Sequence, residues 1–479
     1  MESLNQSEVA SNPEVQKLAE QYRRAVDAVA GSDPSFAERE RAALAVGNAI
    51  TNQDLLRDLQ RRADRYREYE YVKVNGQLYK RHEEGEIPYH SLVGDLKVRR
   101  PTYRAVGMHN GPTIVPLELD AGLLELATPQ LAQGVAQGYA KHDMRSHHED
   151  LIAAGRLPPS RTALETLAKR TAAEVHAAVP HIEPYLRRHE DVPPEVVAVS
   201  LGLDRTSVPR AESPSPDHPA RPHERTRPYE RTPPPPFVVV WRMAYVGTVT
   251  LVDADGIARV IRRYTATAEE GPERIVRQML ADVRAALRRR PDLTVGVVQD
   301  GAPEMWNLLR PALTAEPMVS TWVEAVDKYH LLERLGAALA LVEPDPKVRD
   351  ALYTSWKDEL DVRDSAIDSV ERWLTHRYSA LEPGDAAEKL WEHLTYLRNN
   401  KDRMRYVTLA VRGLPVGSGV TESAAKTVIG TRTKHRGQHW SEPGLRGVLA
   451  LRAIHASDRF PAFWRSFSRR YTARVALVP

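Results

Sequence analysis

The stretch that most restricts the fold runs from residue 194 to residue 330. "PEVVAVSLGLDRTSVP" is β-rich and largely apolar up to Asp204. After a proline-rich interruption, "FVVVWRMAYVGTVTLVDADG" and "RVIRRYTATAE" read as two antiparallel strands turning at Asp255-Gly256. "GPERIVRQMLADVRAALRRRP" has the ~3.6-residue periodicity of an amphipathic helix. "LTVGVVQDGAPEMWNLL" is an apolar strand ending at Asp300, followed by a helix, and "VEAVDKYHLLERL" is a short strand passing into another helix. Three consecutive strands followed by alternating helices and strands point to an α/β sheet.

The interruption, Pro209 to Pro236, holds ten prolines and many charges, and reads as an extended or disordered loop outside any core. Residues 331–412 read as wholly helical, an insertion. The sheet unit resumes at 413–479, where a Gly/Pro-rich turn leads into a helix carrying Glu422. This order is the early order of an RNase H-like α/β fold. Ahead of it, 1–68 read as long helices, as in "VQKLAEQYRRAVDAVA". Residues 69–120 read as a small β region with a hairpin at Asn75-Gly76, closed near residue 119 by "GPTIVPLEL". Residues 121–193 return to helix. Within them Thr162 and Glu165 have capping-box spacing. That helix is a candidate recognition helix of a helix-turn-helix unit, although such a helix is more often plain scaffold.

Net charge is only +3, but residues 421–479 carry 11 Lys/Arg against 3 Asp/Glu. Such a segment suits phosphate backbones, or is a solvated helix face. The absence of cysteine excludes disulfides and Cys-ligated zinc. "MESLNQSEVA" lacks the features of a signal peptide and no apolar run approaches a membrane span, so a cytoplasmic protein is expected.

Asp204 and Asp300 each end an apolar strand, where ligands of open α/β sheets usually bind. If the first and fourth strands are neighbours, the two carboxylates converge, and Glu422 can approach from a helix beside the sheet. Three converging acids need cations, and two Mg²⁺ ions (or Mn²⁺ as a substitute) suit oxygen ligands and phosphate chemistry. Each acid alone has a plainer explanation: a turn at Asp300-Gly301, an ordinary strand end at Asp204, a helix N-terminal acid at Glu422. Asp253 and Asp255 fit a hairpin turn better than a metal site.

"DGAPEMWNLL", "DKYHLLERL", "NNKDRMRYV" and "LPVGSGVTESAAKTVIGTRTKHRGQHWSEPGLRGVLALRA" closely resemble bacterial insertion-sequence DDE transposases of the ISKra type, distantly similar to Mutator-like transposases. "YHSLVGDLKVRRPTYR", "NGPTIVPLELDAGL" and "PPSRTALETLAK" extend the resemblance over roughly residues 70–465. The resemblance implies Mg²⁺-dependent DNA cleavage and strand transfer, with Asp204, Asp300 and Glu422 as catalytic metal ligands. It places Asp327 and His330, an Asp-x-x-His element, beside them. It also implies double-stranded DNA as partner, both element ends and target, a homodimer or larger synaptic assembly, and a nucleoid-associated bacterial setting. Lys426, four residues after Glu422, shares its helix face. With Arg432, Lys434 and Arg436 it is expected to hold the DNA backbone. Trp440 either stacks on splayed bases or packs, and for Trp306 packing is expected. The alternatives are an RNase H-like nuclease or resolvase without strand transfer, and a domesticated DNA-binding protein that no longer cuts.

Overall fold

The computed structural model describes residues 12–217, 236–301 and 303–478. Most of the expected proline-rich loop, residues 218–235, lies outside the described residues. The chain divides into two compact units, Met1–Ile182 with Arg459–Pro479, and Glu183–Asp458. No helix among the described residues is long and apolar enough to cross a membrane.

In the first unit, α1 (Pro13–Ala30) precedes α2 (Phe36–Arg67), which opens on a capping box between Ser35 and Glu38. β1 (Tyr71–Val74) and β2 (Gln77–Tyr89) form the expected hairpin, with Asn75 and Gly76 both at positive φ. β3 (Leu96–Ala105) and β4 (Thr113–Ile114) follow. The "GPTIVPLEL" segment contributes only β4, because Pro116 then starts the short helix α3 (Pro116–Ala121). α4 (Pro129–Lys141), α5 (Met144–Ala153) and α6 (Arg161–His189) come next, with α6 from Glu183 onward belonging to the second unit. The capping box expected at Thr162 and Glu165 is not formed. Ser160 caps α6 instead, its Oγ accepting from Ala163 N at 3.4 Å, while Glu165 pairs with Lys169 at 2.6 Å. The C-terminal segment belongs here and not to the sheet unit in which 413–479 was expected. β10 (Val475–Val478) pairs with β1, completing an antiparallel sheet of order β10-β1-β2-β3-β4.

The second unit holds the other sheet. β5 (Val196–Glu212), β6 (Val238–Asp253) and β7 (Ala258–Thr267) are antiparallel neighbours. After α7 (Pro272–Arg289), β8 (Thr294–Gln299) pairs parallel to β5. After α8 (Pro303–Thr314), β9 (Val323–Val326) pairs parallel to β8. The order across the sheet is β7-β6-β5-β8-β9, so the first and fourth strands of this unit are indeed neighbours. Asp253 makes the hairpin turn expected of it, its Oδ1 accepting from Asp255 N and Ile257 N at 3.0 and 2.9 Å.

β5 does not end at Asp204 but continues eight residues to Glu212, taking Pro209 and Arg210 out of the expected loop and into the sheet. Pro209 is tolerated because its carbonyl accepts from Trp440 N at 3.1 Å. A strand residue's N and C=O point to the same side, so the missing N–H faces away from β6 and costs the ladder nothing. Beyond β9 the chain is helical, as expected: α9 (Lys328–Val342), α10 (Pro346–Val362), α11 (Ala366–Tyr378), α12 (Asp385–Asn400) and α13 (Tyr406–Val411). One apolar core runs from Leu201 and Val297 on the sheet, through Met279 on α7, to Leu335, Val370 and Leu394 on these helices. The helical segment is thereby packed into the same unit as the sheet.

Candidate active site

β5 and β8 run parallel with Leu201 opposite Val297. Asp204 and Asp300 each stand three residues further on, so the register brings them to the same level of neighbouring strands. Gln299 spans the gap beneath them, its Oε1 accepting from Leu203 N at 3.4 Å. Asp204 is half-buried, and Asp300, just past the end of β8, is exposed. The backbone turns at Gly301, whose φ of +90° favours glycine. A Cβ there would also come within 2.7 Å of the Tyr396 hydroxyl, which donates to the Asp300 carbonyl at 3.1 Å.

Glu422 lies on α14 (Gly419–Ala424), which continues through a π-helical turn (Ala425–Gly430) and a last α-turn (Thr431–Thr433). Thr421, Ala424, Ala425 and Val428 are buried, while Glu422 and Lys426 are exposed. The Thr421 hydroxyl lies 2.6 Å from that of Thr248 on β6. This close seating requires Gly202 on β5, where any Cβ would overlap Thr421 Oγ1. An isolated glycine inside an apolar strand is the sequence signal of such an approach, and here the strong strand pattern around it masks that signal.

Asp327 joins β8, α9 and the turn before α14. It is 1% exposed and its N–H donates to the Gln299 carbonyl at 2.7 Å, one residue before Asp300. Its Oδ1 caps α9, accepting from Tyr329 N and His330 N at 2.6 and 3.1 Å. Its Oδ2 accepts from the Ser418 backbone N–H, and from the Ser418 hydroxyl at 2.7 Å. The same hydroxyl lies 2.5 Å from Glu422 Oε1, and His330 Nε2 is 3.2 Å from that oxygen. In sequence Ser418 reads only as part of a turn, although a serine one helical turn before Glu422 is placed to reach it.

Burial raises the pKa of Asp204, and the charges of Asp300 and Glu422 raise it further, against a lowering bond from Arg205 N and the charge of His330. Asp204 thus feels the charge of both other carboxylates. His330 is raised despite burial, by the charges of Asp327 and Glu422 and by Glu333. A carboxyl whose folded pKa is raised favours folding below its unfolded value, near 3.8, and loses that contribution as pH rises through the folded pKa. At pH 7 the ionised Asp204 is therefore a cost to the metal-free protein. Asp204→Asn is expected to raise the metal-free melting temperature at pH 7, with the gain fading as pH falls through the folded pKa and absent below the unfolded value. A thermal melt series across pH checks this, and no gain at neutral pH would contradict it.

The basic residues divide. Lys426, Lys434 and Arg436 are exposed, and Lys434 Nζ bonds Thr206 Oγ1, two residues beyond Asp204 on the same strand face. Arg432 and Trp440 do not form part of an exposed DNA face. They are 4% and 7% exposed, with the guanidinium 4.9 Å over the indole ring. Trp440 Nε1 donates to Thr433 O at 3.3 Å, and its backbone bonds both Pro209 and Ala211 of β5. These two residues fasten the extension of β5 to the end of the Glu422 helix. Trp306 is buried, as packing requires.

Among the described residues no group of three or more His, Cys, Asp or Glu side chains is arranged to hold a metal ion. The chemistry of the donor set nevertheless fits one. Asp204 and Asp300 are oxygen donors at one level of the sheet, and burial together with the neighbouring acids already raises Asp204. Glu422 is turned to Ser418 and His330 instead.

No protein-family model matches the sequence, and no curated protein matches it either. Among solved structures the chain is similar to a Drosophila P element transposase strand transfer complex. That match has 10% identity over 71% of this chain and 83% of the other, with a TM-score of 0.24. A likeness of this size carries no chemistry from one chain to the other, and none of the three comparisons names the insertion-sequence type that the motifs resemble.

Proposed function

We propose that the protein is a DNA transposase of the DDE class, built on an RNase H-like core, that cuts DNA and transfers strands in a Mg²⁺-dependent reaction. One observation carries this reading: the register that sets Asp204 level with Asp300 while the Glu422 helix seats on the same sheet. The motif resemblance to ISKra-type transposases supports it. Asp204, Asp300 and Glu422 would hold the metal ions. When bound, these would activate the attacking oxygen and stabilise the leaving one in phosphoryl transfer. Asp327 ties the Asp300 strand to the Glu422 helix through Gln299 and Ser418, and caps α9. Lys426, Lys434 and Arg436 offer charge to the phosphodiester backbone beside the acids, contacts that position without reading sequence. End recognition falls to the N-terminal helical and β regions, and handling two ends calls for a dimer or larger assembly.

The test is a plasmid carrying the coding region with its flanking DNA, incubated with the protein in Mg²⁺ or in EDTA. Cleavage at the flanks and joining to a second plasmid, in Mg²⁺ only, are expected. Cleavage without joining would point to a nuclease, and no cleavage would refute the assignment. Replacing both Lys434 and Arg436 by Ala should weaken DNA binding. It should also flatten the log–log salt dependence by about 0.9 for each phosphate left without its cation. An unchanged slope would take both residues off the DNA.

A further inference from the structure

α7 covers one face of the sheet as far as Gly247, where a Cβ would overlap Ile275 and Met279 of that helix. Along β6 the same face continues through every second residue, and there it is bare. Met243, Trp241, Val239 and, just before the strand, Phe237 are 40, 60, 50 and 48% exposed. On β5, Ser207, Pro209 and Ala211 stand opposite Met243, Trp241 and Val239. No charge interrupts this stripe, because Arg242 lies on the other face, bonded to Glu212 at 2.8 and 2.9 Å.

The backbone edge beside the stripe is open too. Trp440 bonds the Pro209 carbonyl and the Ala211 N–H, so these two residues turn their backbone groups away from β6. Arg210 between them therefore bonds Val240, and Val239 and Trp241 aim their N–H and C=O groups at the outer edge of β6. Among the described residues no strand pairs with that stretch, since β7 reaches the edge only from Ala244 onward. At the other end Pro236 has no N–H to donate. Open edges are commonly guarded by a lysine, a proline or a bulge that keeps other strands off, and residues 237–241 carry none of these.

We propose that a second copy of this chain docks here, its β6 edge pairing antiparallel with this one across a two-fold axis at Val239. The proposal rests on the DNA-processing reading above in one respect: that reading calls for two copies, and the open edge is the surface where they meet. A ladder over residues 237–241 fits between Pro236 and Ala244. It sets Val239 against its own counterpart and Trp241 against the partner's Phe237, an aromatic cross-strand pair on each side of the axis. A surface that meets itself must not repel itself, and this stripe is uncharged. Its half-exposed side chains offer roughly 300 Å² per copy, short of the about 800 Å² per partner of a stable interface, so the contact is reversible.

The chain has no cysteine, so Val239→Cys gives each copy a single thiol at the axis. Facing residues of a hydrogen-bonded antiparallel pair have Cα atoms about 5.5 Å apart, within disulfide reach. The full-length protein, without DNA or metal, is oxidised with diamide, and the covalent dimer is read on a non-reducing gel. Ile257→Cys, at a 53% exposed position in the hairpin between β6 and β7, reports random collision. Val239→Cys is expected to cross-link faster than Ile257→Cys. Adding Trp241→Glu should return its rate to that of Ile257→Cys, and adding Trp241→Phe should not. In sedimentation of the cysteine-free chain, Trp241→Glu should raise the dimer Kd about 30-fold, as the loss of a central tryptophan on both sides predicts. Equal rates for the two single cysteines overturn the proposal, as does a fast rate or an unchanged Kd that survives Trp241→Glu. Either result leaves the DNA-processing reading standing, because no DNA enters the measurement. A protein that dimerises through this edge yet never cuts DNA would sink that reading alone.

Discussion

Asp300→Asn is expected to abolish DNA cleavage while leaving DNA binding and folding intact. The loss should be about 10³-fold or more, since groups that act as one unit fail together when one is removed. The substitution keeps the size of the side chain at an exposed position, so packing is not disturbed. It also removes one of the charges that raise Asp204, so the metal-free protein should not be destabilised. Cleavage is read on plasmid DNA in Mg²⁺, binding by retention of labelled DNA. Wild-type cleavage by this variant would remove Asp300 from the chemistry.

Asp327→Ala should have the largest effect on stability. The carboxylate caps α9 and accepts from Ser418 N and Oγ while 1% exposed. Losing the cap costs about 1 kcal/mol, and leaving the buried Ser418 N–H without a partner costs about 1–3 kcal/mol more. A loss of roughly 2–4 kcal/mol follows, or on the order of 5–15 °C in melting temperature for a unit of this size. Asp327→Asn keeps an acceptor for the cap and should lose less. Equal melting temperatures of Asp327→Ala and wild type would show that Asp327 does not tie these segments together.

The strands of the second unit are legible in the sequence because each is a run of apolar, β-branched residues bounded by turn chemistry. That pattern also locates Asp204 and Asp300. What it does not give is how far β5 runs. Pro209 and Arg210 look like loop residues, and their place in the sheet depends on Trp440, far along the chain. The same long-range contact explains why linear charge misleads at Arg432, whose guanidinium stacks on that tryptophan. Gly202 stays silent in the sequence because it matters through Thr421, and Ser418 because it matters through Asp327, partners brought near only by folding. The final residues follow the basic helix along the chain, yet β10 adds a strand to the first unit's sheet, a pairing that four weakly patterned residues do not announce.

The central claim is that Asp204, Asp300 and Glu422 make one metal centre, although Glu422 is turned to Ser418 and His330 in the metal-free arrangement. Anomalous diffraction from crystals grown with Mn²⁺ tests it most directly. The account predicts manganese between Asp204 and Asp300, with the Glu422 carboxylate released from Ser418 and turned to the metal. Manganese bound elsewhere, or no manganese at saturating concentration with Glu422 still on Ser418, would contradict it.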